Sequence, residues 1–151
     1  MRVSIRSADS VALATHRGAI RRARLGALLR ASGDALGVPA RASLAVRLTD
    51  DEELRSLNAR FLGTDAPTDV LAFPAAEAGR VGDLAISVER AVDQDRESGG
   101  DGAAELRLLA VHGLLHCLGH DHAEASDAAS MTEATRALLA GQPVPDLVPA
   151  R

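Results

Sequence analysis

Along this chain the apolar positions recur with two periods. "VSIR" near the N-terminus and "SLAVRLTD" alternate, Leu44, Val46 and Leu48 standing against Ala45, Arg47 and Thr49, which is the period of a half-buried strand. "DVLAFP" and "VGDLAISV" read as two further strands joined by "AAEAGR", the second with Leu84, Ile86 and Val88 as its apolar face. Helical spacing takes over elsewhere. From Gly18 to Ala35 one amphipathic helix is expected, with Leu25, Leu29, Ser32 and Leu36 along a stripe. Thr49 or Asp50 is placed to cap a second helix. Its first turn carries Asp51, Glu52 and Glu53 against the positive end of the helix dipole, and Leu54, Leu57 and Phe61 should face inward. "ESGGDG" at 97–102 is the most loop-like stretch; a helix then runs through about Leu118 to a stop at Gly119, and a last one covers about Met131 to Leu139. The pattern is α+β, a small mixed β-sheet with helices packed on it. At 151 residues it should form a single domain over 1–151, with 141–151 as a flexible Pro-rich tail.

Composition refines this picture in two ways. The core must be aliphatic, because Phe61 and Phe73 are the only large aromatics. The single cysteine, Cys117, cannot form an internal disulfide, so a cytoplasmic location is expected; no apolar run approaches the length of a membrane span or a signal-peptide core. Charge is divided along the chain. Residues 1–47 carry nine arginines against Asp9 and Asp34, a local charge of +7, whereas the rest carries eight arginines against nineteen acids, −11. Arg17, Arg21, Arg22, Arg24 and Arg30 cluster on the first long helical stretch, where they form either a solvated face or a surface for phosphates.

Four of the five histidines lie in "HGLLHCLGHDH", residues 112–122. His112 and His116 are four apart on a helix, hence one turn apart on one face, and Gly119 lets the chain turn back in the left-handed conformation to bring His122 beside them. Three neutral imidazoles leave a tetrahedral Zn2+ one open position, the arrangement of a catalytic ion. The metal ligands are therefore expected to be His112, His116 and His122, in a zincin-like site on a helix and the loop after it. The spacing is also that of metzincin proteases, but their general-base glutamate falls on Gly113, which argues against peptide hydrolysis.

These residues resemble the YbeY family of bacterial rRNA maturation factors, whose signature H-G-x-L-H-L-x-G-Y-D-H is matched by His112, Gly113, Leu115, His116, Gly119, Asp121 and His122. The likeness extends through "PTDVLAFP", "GDLAIS", Glu105 and Met131, covering roughly Leu44 to Leu139. It implies a metal-dependent, single-strand-specific endoribonuclease acting in small-subunit rRNA processing and ribosome quality control. Its partners would be single-stranded RNA and the small ribosomal subunit with its proteins. The ligands it implies are the three histidines that spacing selects. Besides His116, the candidate catalytic side chains are His120, which replaces the signature tyrosine as proton donor, base-stacking surface, occasional metal ligand or simple loop cap, and Asp121, which either orients a ligand imidazole or caps the loop.

The chain departs from the family at one telling place. Members usually carry an arginine for the substrate phosphate in the segment before T-D-V-L; ungapped alignment puts Leu62 there, with Arg60 pointing to the other side of its helix and Arg55 about two turns earlier. Ala72 stands where the family has serine. Two other classes therefore fit the sequence: a ribosome-assembly or RNA-binding factor with little chemistry, and a metal-dependent hydrolase of another substrate. Asp69, Asp83 and Thr68 are placed either to line the site or to bind backbone amides. Cys117, at 100° from His116 on the helix, should pack in the core, and His16 has no evident partner.

Overall fold

A computed structural model describes residues 1–149; residues 150 and 151 of the expected tail lie outside the described residues. Four strands form one mixed sheet in the order β1-β2-β4-β3. β1 (Arg2–Ser7) and β2 (Ser43–Thr49) are parallel, β2 is parallel to β4 (Arg80–Ser87), and β3 (Val70–Pro74) closes the sheet antiparallel to β4. The alternation read from sequence sorts the two faces. Leu44, Val46, Leu48, Leu84 and Ile86, with Val70 and Ala72, join the main core. Leu71, Phe73 and Ala85, one residue out of phase, pack with Leu54 and Leu57 of α4 (Asp51–Leu62) on the other face.

The principal helix on the main-core face is α6 (Ala103–Cys117), whose Leu106, Ala110, Val111, Leu114 and Leu115 are fully buried. A side chain at Gly113 would meet Leu84 Cδ2 at 2.8 Å, so the glycine lets α6 lie close against β4.

Several elements differ from expectation. The helix expected from Gly18 to Ala35 is two, α2 (Arg17–Ala23) and α3 (Leu25–Ala35), broken at Arg24, which adopts the left-handed conformation with φ 49°. The break is held from outside: Arg107 on α6 donates to the Ala23 carbonyl at 2.8 Å. Two helices lack a clear pattern in sequence, α1 (Val11–Thr15) and α5 (Val88–Arg96). Ser87 ends β4 and at once caps α5 by accepting from the Arg90 N–H, so strand passes into helix with no loop, and Val88 belongs to the helix rather than to the strand. α7 (Ala125–Leu138) begins well before Met131. Phe61 is exposed rather than inward, standing edge-on to Phe73 with ring centroids 5.7 Å apart. Asp50, not Thr49, caps α4, accepting from the Glu53 N–H at 2.9 Å. Beyond α7, Val144 and Leu147 pack against the core, and the Leu147 N–H donates to Thr132 Oγ1 at 3.0 Å.

Candidate metal centre

The end of α6 and the loop after it assemble the histidine site. Glycine at 119, with φ 97°, reverses the chain, and the His120 N–H bonds the Leu115 carbonyl at 3.0 Å. The Asp121 carboxylate accepts from the His122 N–H at 2.7 Å, fixing the backbone that carries the third imidazole. His112 Nε2 and His116 Nε2 stand 3.0 Å apart, and one nitrogen from each of the three rings lies within 4.8 Å of the others. Ligands about 2.1 Å from a tetrahedral ion are about 3.4 Å from each other, so a 3.0 Å pair with the third nitrogen inside the 4.8 Å limit is compatible with one shared ion.

Electrostatics favour the ligand form. Burial, then the neighbouring His116 and His122, pulls His112 down to about 4. Burial also lowers His116, followed by His122, with Asp121 opposing and the His120 main chain lying against its ring. Both rings are held neutral, with lone pairs available. His122 Nδ1 is buried with no hydrogen-bond partner among the described residues, a polar atom that an ion would satisfy. The three residues thus fit a metal.

Beside the triad runs a groove of about 400 Å3. Its walls are His112, His116 and His122 on one side and Leu62, Thr68, Asp69, Val70 and Ala72 on the other. No arginine is among its lining residues. Leu62 does reach the groove, as the alignment predicts. Arg55 is occupied by Asp65 at 2.7 Å, and Arg60 lies over the Phe61 ring, 5.2 Å from its centroid. Of the two strand-end aspartates, Asp69 joins the groove, whereas Asp83 faces the opposite side of the sheet and pairs with Arg80 at 2.9 Å. His120 lies outside the groove, beside Asp121, Asp127 and Ser130. The Cys117 thiol, pushed up to about 11 chiefly by burial, would meet a Gly82 Cβ at 2.8 Å and is a packing group. His16 caps neither end of its neighbouring helices with its side chain.

One group carried no chemical role in the sequence reading. Glu105 lines a second cavity next to His112, with Leu108, Leu109, Thr132 and Leu147. Burial, with Asp69 and Asp95 adding repulsion, raises its carboxyl to about 7. In the sequence it stands out only through the family likeness and its position two helical turns before His112.

A family description, Endoribonuclease YbeY, matches residues 16–142. The chain belongs to the YbeY family. An endoribonuclease YbeY of Moorella thermoacetica is 42% identical over 130 residues, covering 78% of this chain and 83% of its own. One from a Chelativorans species is 40% identical over 130 residues, covering 82% and 77%. A Thermotoga maritima protein solved in solution superimposes with a TM-score of 0.56 over 90% of this chain and 85% of its own, at 24% identity, which shows the shared fold. No helix among the described residues is long and apolar enough to cross a membrane.

Proposed function

We propose that this chain is a metal-dependent endoribonuclease that cuts single-stranded RNA in small-subunit rRNA processing and ribosome quality control. One observation carries the reading: three imidazoles converge at the wall of an open groove in a chain whose relatives are endoribonucleases. His112, His116 and His122 would hold one zinc-class ion, which when bound supplies Lewis acidity and activates water. The protein's own groups do the rest. Burial keeps His112 unprotonated as a donor, and the His120 main chain and Asp121 orient the His116 and His122 segment. The groove between α6 and β3 admits a flexible single strand, whereas a duplex backbone is too stiff to bend in. His120 and Asp121 therefore act from behind the site, as positioning residues.

The test is metal content together with single-turnover cleavage of single-stranded rRNA fragments, with His116→Ala alongside. About one ion per chain and cleavage that His116→Ala abolishes are expected. Metal-free protein after purification without chelators would count against the ion. RNA binding without cleavage would instead favour an assembly factor with little chemistry, the reading that Leu62 supports.

A further inference from the structure

The outer edge of β3 forms the groove's far wall, and the sheet register shows which of its backbone groups are free. The Ser87 N–H donates to the Asp69 carbonyl at 2.9 Å, and the Ala75 N–H donates to the Val81 carbonyl at 3.1 Å. Because hydrogen-bonded pairs alternate along an antiparallel ladder, the pairs Leu71–Ala85 and Phe73–Asp83 also bond inward. Val70, Ala72 and Pro74 therefore turn their main-chain groups away from β4. The Thr68 hydroxyl lies 3.4 Å from the Val70 carbonyl, as that orientation requires, and a carbonyl keeps a second lone pair. No other partner for these groups is found among the described residues outside the sheet. Along the groove the edge thus reads donor, acceptor, donor, acceptor: the N–H and C=O of Val70, then those of Ala72. Pro74 ends the series because it has no N–H.

We infer that this edge reads the sugar-phosphate backbone of single-stranded RNA, the N–H groups of Val70 and Ala72 donating to successive phosphates and the carbonyls between them accepting from 2'-hydroxyls. The two N–H groups are about 6.7 Å apart, twice the rise of a strand residue, a spacing comparable to that between phosphates of an extended strand. An RNA backbone alternates acceptor and donor in the same order, while DNA lacks the donor. The groove itself demands such a device. It offers no guanidinium, Leu62 has no donor, and the strand's phosphates need some partner besides an ion at the triad. Alanine at 72 adds little bulk in front of these groups. The inference rests on RNA being the substrate, and assigns to β3 the choice of ribose over deoxyribose.

Ala72→Pro tests it by deleting one outward N–H. The substitution suits the fold, because the deleted group makes no ladder bond and Pro74 already occupies the equivalent register two residues on. Full-length, metal-loaded protein is titrated with one short labelled sequence as RNA, 2'-O-methyl RNA and DNA, strand integrity being checked afterwards. Wild type should bind RNA about tenfold more tightly than either analogue, and Ala72→Pro should weaken all three by about tenfold, its metal content and melting temperature holding near wild type. Equal wild-type affinity for RNA and DNA, or unchanged binding by Ala72→Pro, overturns the inference. Should the variant not fold, amide resonances of wild type decide: RNA should shift the Val70 and Ala72 N–H signals more than those of Leu71 and Phe73, and the reverse overturns it. Cleavage of RNA with no such edge effects defeats this inference alone, whereas failure to bind any RNA defeats the functional reading beneath it.

Discussion

At the scale of single residues the groove is defined as much by what it lacks as by its histidines. Leu62 is exposed and lines the wall opposite the triad, so an arginine there would place a cation against a bound phosphate without burying charge. A preorganised donor of that kind is typically worth about a hundredfold in rate. Leu62→Arg should therefore speed single-turnover RNA cleavage by at least about tenfold, and raise the rate more than it tightens binding. A rate that does not move would mean that the edge of β3 already supplies the needed donors. Glu105 makes a different prediction. Its folded carboxyl is raised to about 7 from an ordinary 4.5, chiefly by burial in a cavity it shares with Asp69, with repulsion from Asp69 and Asp95 adding to it. The folded protein thus prefers the protonated form, and stability should be highest below about pH 4.5 with respect to this group and decline as pH rises through about 7. Glu105→Gln, which cannot ionise, should flatten that decline and raise the melting temperature at pH 8. Melts of both proteins between pH 5 and 8, in chelator, measure it; parallel curves would show that the carboxyl is not destabilised.

At the scale of elements, caps and breaks decide the boundaries. Asp50 satisfies a free N–H at the start of α4, and Asp50→Ala should cost about 1 kcal/mol in a denaturant titration. The α2–α3 break invites the opposite change. Arg24 holds a left-handed conformation that a side chain disfavours, and it carries no ion pair among the described residues. Arg24→Gly should stabilise the fold by about 1 kcal/mol, read as a shift of the denaturant midpoint with the slope unchanged.

At the scale of the molecule, charge and metal act together. Arg17, Arg21, Arg24 and Arg30 are exposed and without a carboxylate partner among the described residues, whereas Arg22 is paired with Asp101 at 2.6 Å. If RNA is the substrate, these four unpaired cations on α2 and α3 would be its landing site, apart from a groove that holds no arginine and carries Asp69. Replacing Arg21 and Arg24 by Ala should lower RNA affinity and reduce the slope of its salt dependence by up to about 2. An unchanged slope would mark this surface as merely solvated. An ion bound only by the folded protein should also raise the melting temperature, and chelation should lower it in wild type but not in His112→Ala.

How much of this was written in the sequence depends on the range of the interaction. The period-2 alternation of β2 and β4, the Asp50 cap and the spacing of His112, His116, Gly119 and His122 are local features, and each survives intact in the fold because helix and strand geometry fixes which neighbours share a face. The break at Arg24 was not legible, since it is held by Arg107 from a helix far along the chain. Nor was the outward turn of Phe61, or the passage from β4 to α5 within one residue, where Ser87 serves both elements. Asp69 and Asp83 look alike in sequence, yet Asp69, just ahead of β3, reaches the groove, whereas Asp83, within β4, lies on the opposite side of the sheet. Local chemistry determined that three imidazoles would meet. Only tertiary structure decided what faces them, because the free edge of β3, the reach of Leu62 and the cavity around Glu105 are set by strand order and by the close seat of α6 on Leu84.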